Sequence, residues 1–142
     1  MSEDREIVVL APDECLLLLG LEFVARVASQ PDGGGAPDVV PVNFVLHEGV
    51  AIFRTHDGTT LHQIEGKLVS LQVDRFDWFH RTGWSVLVQG RAELIDPHDV
   101  EGMDLDTWAP GDQPRLVRIV PDRISGRRIE LRQLPVDAGG YL

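Results

Sequence analysis

Three short segments hold the residues whose types and spacing could do chemistry. Asn43 lies in Pro41-Val42-Asn43-Phe44, inside an apolar run where an amide is costly unless hydrogen-bonded. Arg54-Thr55 ends the next run, and Asp57-Gly58-Thr59-Thr60 follows it directly into what reads as a short helix. Backbone N–H groups at that helix start, the hydroxyls of Thr59 and Thr60, and the Arg54 guanidinium together suit a phosphate. Gly83-Trp84-Ser85 offers a flat aromatic beside a hydroxyl at the mouth of a later run. The same residues also have plain structural uses: Asn43 to serve a bulge, Thr59 to cap a helix, Trp84 to fill a core.

Other constellations are weaker. His47, His56, His62, His80 and His98 never fall at the spacing of a helical zinc motif, and one cysteine gives them no thiolate partners. Ser29, Ser70, Ser85 and Ser125 lack the strand-turn-helix elbow of an esterase nucleophile. Asp74/Asp77 and Asp104/Asp106 read as solvated loop carboxylates rather than a general-acid pair. Cys15, followed by Leu16–Leu19, reads as a buried apolar residue rather than a nucleophile.

The elements that must position these groups are mostly strands. Pro12-Asp13-Glu14 opens a short helix that stops near Gly20, with acids at the positive end of its dipole. The runs Glu22–Gln30, Asp38–His47, Val50–Thr55, Lys67–Phe76, Trp84–Asp96 and Arg115–Arg132 are rich in Val, Ile and Phe and bounded by turn signals. His47-Glu48-Gly49 has the length of a hairpin connection, and Asp32-Gly33-Gly34-Gly35 reads as a turn without the Lys-Ser/Thr ending of a P-loop. Pro41 within its run predicts an edge or a bulge there. Thr59–Glu65 reads as a helix with Leu61 and Ile64 on one face, and Asp96–Asp106 as another brief helical turn. Six strands joined by hairpins and short helices predict one domain, residues 1–142, built as an antiparallel barrel.

Composition narrows the function classes. The chain has 142 residues, 13 Lys+Arg and 23 Asp+Glu, for a net charge of −10. Such a surface repels phosphate backbones, so nucleic acid is not an expected partner. The longest apolar stretch, Cys15–Gly20, is far short of the ~20 residues of a membrane span, and MSEDREIVVL lacks the basic start of a signal peptide. With a single cysteine, the expectation is a cytoplasmic protein. Arginine outnumbers lysine, with Lys67 the only lysine, as in GC-rich bacterial genomes.

Across most of its length the sequence resembles the pyridoxamine 5′-phosphate oxidase-like family of FMN-binding split barrels, in its small bacterial branch. Four segments carry the resemblance in order: VVPVNFVL at Val39–Leu46, AIFRTHDGTTLHQIE at Ala51–Glu65, RTGWSVLVQGRAELI at Arg81–Ile95 and VRIVPDRISGRRI at Val117–Ile129. The resemblance implies a mainly β fold, a six-stranded antiparallel split β-barrel, that forms homodimers with FMN in clefts between subunits. It implies that Pro41, Val42 and Asn43 line the flavin and that Thr55 and Thr59 hydrogen-bond its phosphate. Trp84 and Ser85 would border the ring, with Ser85 at its polar edge. Where relatives commonly carry a lysine in the phosphate turn, this chain reads Thr59-Thr60-Leu61. Where they carry a glycine-arginine pair, it reads Ala25-Arg26.

The function expected is that of an FMN-dependent oxidoreductase acting on a small molecule. Arg54 takes the charge role that the turn lacks, because a guanidinium can grip phosphate with two prongs. Two alternatives differ in chemistry: a reductase using the deazaflavin coenzyme, and a barrel that binds a flavin without turnover or survives as a vestigial dimer. The deazaflavin's polyanionic tail fits poorly with a charge of −10.

Overall fold

The computed structural model describes residues 4–55, 64–100, 105 and 115–132. Its elements are β1 (Arg5–Val9), α1 (Pro12–Leu19), β2 (Val24–Ser29), β3 (Asp38–His47), β4 (Val50–Thr55), β5 (Leu68–Asp77), β6 (Thr82–Ile95) and β7 (Arg115–Leu131). A 3-10 turn, Pro97–Val100, follows β6. Strands pair antiparallel in the order β1-β7-β4-β3-β2-β5-β6, and β6 pairs back onto β7. Six strands thus close a barrel of the split-barrel type, and β1 adds a seventh against the far end of β7, Arg5 opposite Leu131.

Local sequence explains the elements. In α1, Pro12 fills the first turn, and the Glu14 carboxylate accepts the Ala11 N–H at 3.3 Å. Gly20 ends the helix in an ordinary right-handed conformation. The β3–β4 hairpin turns on Glu48 (φ 51°) and Gly49 (φ 79°), so both central residues take the left-handed region of a tight two-residue turn. Gly33, Gly34 and Gly35 also all have positive φ, as the turn reading expects. Pro41 pairs with Arg26 of β2 without a register shift, while β4 pairs with β3 only through Phe44–His47. The proline therefore lies at a local edge rather than a bulge, where its missing N–H costs no ladder bond.

Among the described residues a bulge lies between β6 and β7, where Gln89 faces Arg123 but Gly90 faces Pro121. There the strands approach so closely that a Cβ at 90 would stand 1.8 Å from the Val120 carbonyl oxygen. Only glycine fits.

Alternation fills the interior. Along β6, Trp84, Val86, Val88, Gly90 and Ala92 are buried, and Ser85, Leu87 and Gln89 are only partly so. Phe53, Leu71, Ile119, Val27 and Val86 meet inside with Cys15 and Leu19, which α1 turns into the same cluster. Each such side chain contributes about 1.5–3 kcal/mol of burial free energy. Cys15 is 0% exposed, and burial, with Glu14 adding to it, pushes its thiol pKa up. It is a core residue. A smaller cluster, Ile52, Leu105 and Leu116, sits on the outside of the barrel with Val45 and Ile95. Among the described residues no helix is long and apolar enough to cross a membrane.

Candidate functional site

β3 and β4 position the first group. Val42 and Phe44 are buried, so the two-residue period turns Pro41 and Asn43 to the outer face. Pro41, Val42 and Asn43 therefore do not share a face. Asn43 donates through Nδ2 to the Phe23 carbonyl at 3.3 Å, tying β3 to the entry of β2. Register carried one pair beyond Phe44 opposite Phe53 sets Asn43 beside Arg54. The two share the outer face.

Arg54 and Thr55 end β4 with an unfinished feature. Arg54 Nε and Thr55 Oγ1 are buried and have no hydrogen-bond partner among the described residues. Arg54 Nε is a donor only, so the group it lacks is an acceptor, and the Thr55 hydroxyl can donate to one as well. Leaving such a donor unmade costs about 1–3 kcal/mol, more for a charged group. Neighbouring strand residues point to opposite faces, so an acceptor serving both must sit at the strand's end. Thr59 and Thr60, and most of the expected helix Thr59–Glu65, lie outside the described residues. Ile64 is described and buried in the core cluster.

β6 carries the second group. Ser85 faces outward and is half-buried, whereas Trp84 is 9% exposed and belongs to the core cluster. Trp84 stands between two arginines, Arg75 of β5 and Arg128 of β7, in the strand register. Following register through β2 and β5, Asn43 and Ser85 lie on one row of the outer face, separated by three strand spacings. That is about 14 Å at ~4.8 Å per strand. One protomer brings Asn43 and Arg54 together, but not with Ser85.

Between them lies a polar cluster that sequence reasoning missed. Arg26 Nη1 reaches Gln72 Oε1 and Asp74 Oδ2, each at 3.3 Å, and Gln72 Nε2 donates to the same Asp74 oxygen at 2.7 Å. Asp74 is thus a half-buried strand residue with partners, not the solvated loop carboxylate the sequence suggested. The polar alternation of Leu71-Gln72-Val73-Asp74 was the available signal.

The β5–β6 hairpin builds a separate feature. Asp77 accepts the backbone N–H groups of Phe79 and His80 at 3.0 Å each, and its other oxygen meets His80 Nδ1 at 2.7 Å. The bond from the His80 N–H, then that from its ring, hold the Asp77 carboxyl below its ordinary pKa. Arg5 of β1 donates from Nη2 (2.9 Å) and Nε (3.2 Å) to the His80 carbonyl, clamping the loop from outside. Beneath lies an open cavity of about 590 Å³ lined by residues that include Asp77, His80, Trp84, Arg128 and Ile129.

Comparison with known proteins places this architecture. A family model described as pyridoxamine 5′-phosphate oxidase matches residues 11–128. An uncharacterized protein of Mycobacterium tuberculosis is 32% identical over 134 residues, covering 88% of this chain and 87% of that one. The FAD binding protein from Mycobacterium smegmatis superposes with a TM-score of 0.73 at 29% identity, over 85% of this chain and 98% of its own. A FAD-binding protein from Mesorhizobium loti gives 0.70 at 25% identity, over 89% and 98%. The matched span runs from the start of α1 nearly to the end of β7 and takes in all six barrel strands and both candidate groups. The chain belongs to the pyridoxamine 5′-phosphate oxidase family.

Proposed function

We propose that the chain is a flavin-dependent oxidoreductase that works as a homodimer, with FMN held in a cleft between subunits. The observation that carries this reading is the pair of buried groups at the end of β4, Arg54 Nε and Thr55 Oγ1, that have no hydrogen-bond partner among the described residues. A phosphate supplies the acceptor oxygens they lack, and Arg54 supplies positive charge in a chain of net charge −10. Family membership and two similar structures named for FAD binding support a flavin as the bearer of that phosphate.

In this arrangement one subunit contributes Pro41, Val42, Asn43, Arg54 and Thr55, with Thr59 and Thr60 next in sequence. The partner contributes the strand bearing Trp84 and Ser85. The spacing between Asn43 and Ser85 on one barrel favours a site composed from two. So does the apolar surface beside Asn43, where Phe23 is 69% and Val39 60% exposed. A bound flavin supplies the electron chemistry. The protein's part is to neutralise the phosphate with Arg54 and to orient the ring's polar groups with Asn43 and Ser85. The second subunit excludes water.

A second reading, in which the ligand is FAD, is favoured by the names of the two similar structures. FAD shares with FMN the phosphate nearest the ring chain, so the role of Arg54 is the same. Titrating the apo-protein with FMN, FAD and riboflavin, followed by flavin absorbance and fluorescence, tests both. The proposal expects the phosphorylated flavins to bind more tightly than riboflavin. Equal binding of all three, or none, would end it.

A further inference from the structure

We propose that the cavity at the base of the β5–β6 hairpin binds a small aromatic acid bearing a hydroxyl group, the acid on Arg128 and the hydroxyl on His80. This inference does not rest on the flavin reading, although the cavity shares Trp84 with the proposed flavin cleft. At about 590 Å³ the cavity lies within the usual range of small-molecule sites. Phe76, Trp84, Ile129 and Leu131 contribute apolar walls. Such walls suit a ring rather than a sugar or a peptide backbone.

The polar groups on the rim decide what the ring must carry. Arg75 already forms an ion pair with Glu22, Nε to Oε1 at 3.1 Å, though without hydrogen-bond geometry. Arg128 lines the same cavity, on the other side of Trp84, and has no ion pair among the described residues. Glu130 lies two positions along the same strand, and no ion pair joins the two. Arg128 is therefore the cation available to a carboxylate, and the fork of a guanidinium matches one with two parallel bonds.

His80 sets the second requirement. Its Nδ1 is committed to Asp77 at 2.7 Å, and Asp77 is itself fixed by two backbone N–H groups. A carboxylate on Nδ1 fixes the neutral ring in the tautomer whose Nε2 is an acceptor. Nε2 then takes a hydrogen bond from a donor, and a phenolic hydroxyl is such a donor. The clamp from Arg5 onto the His80 carbonyl keeps the loop in place before any ligand arrives. An ordered acceptor and an uncommitted cation on one apolar cavity specify a hydroxylated aromatic acid.

Calorimetric titration of the whole protein with 4-hydroxybenzoate, 4-methoxybenzoate and methyl 4-hydroxybenzoate tests this, and the ligand comparison on the parent needs no variant. The parent binds 4-hydroxybenzoate about tenfold or more tighter than either analogue, the effect of one charged or well-oriented hydrogen bond. Arg128→Gln brings 4-hydroxybenzoate down to the level of the ester, drops 4-methoxybenzoate below it, and leaves the ester unchanged. His80→Phe brings 4-hydroxybenzoate down to the methoxy compound. FMN titrated into the same samples keeps the parent's affinity in both variants, so a failure here is separate from a failure of the flavin site. A parent that binds the three compounds equally, or binds none, overturns the proposal. So does a preference that survives both substitutions.

Discussion

Gly90 of β6 lies against the backbone of Val120 on β7 at a distance that leaves no room for any side chain. A β-carbon there would stand 1.8 Å from the Val120 oxygen and 2.8 Å from its carbonyl carbon. Neither atom is a flexible tip, so a substitution must move a strand at the barrel's seam. Gly90→Ala is expected to destabilise the fold by about 3 kcal/mol, the upper end of overpacking costs. Gly20→Ala is the contrasting case: its φ is −66°, and its nearest contact would be an ordinary 3.6 Å. That change is expected to stabilise by about 0.4–1 kcal/mol through the unfolded chain. Urea midpoints of the two variants check both signs.

Asp77 makes the hairpin sensitive to acid. Its folded pKa is depressed by the His80 backbone N–H, then the His80 ring, then the Phe79 N–H. A depressed carboxyl contributes stability that is fully present above its unfolded pKa of about 3.9. That contribution is lost as pH falls through the folded value. Asp77→Asn should therefore lower Tm at neutral pH, and the gap from the parent should close as pH drops below about 4. Melting curves across an acid series give the answer.

The proposed two-subunit cleft has a genetic signature. Suppose Arg54→Glu and Ser85→Trp each abolish FMN binding as homodimers. In a mixed dimer one cleft then carries both defects and the other carries neither. Random reassembly of equal amounts makes about half the dimers mixed, so about a quarter of the parent's sites return. If Arg54 and Ser85 served one site on the same protomer, mixing would restore nothing. Flavin absorbance per subunit after joint refolding distinguishes the two.

Much of the fold was legible because hairpins announce themselves locally. Asp38–His47 and Val50–Thr55 were bounded by turn residues and emerged as β3 and β4 with those limits. β1 was not legible. Arg5–Val9 is short and begins with two charged residues, and its partner, the end of β7, lies at the other end of the chain. Nothing near it in sequence reports that pairing. The site shows the same division. Arg54, Asn43 and Ser85 were visible as polar residues in apolar runs, and their outward direction follows from the two-residue period. That Trp84 sits in the core cluster between Arg75 and Arg128 depends on three strands meeting. The His80–Asp77 pair depends on a loop conformation with Arg81 at φ 56°, which no spacing rule reveals.

Arg54 is where the account is most exposed. It assigns the flavin phosphate to a guanidinium whose Nε is buried without a partner among the described residues. Parent and Arg54→Ala proteins, stripped of bound flavin, would each be titrated with FMN and with riboflavin. Loss of one charged hydrogen bond, about 1.5–3 kcal/mol, predicts that the variant binds FMN about tenfold to a hundredfold more weakly. Riboflavin, which has no phosphate, should bind both proteins alike. An Arg54→Ala protein that binds FMN as tightly as the parent, or loses riboflavin to the same degree, would contradict the assignment.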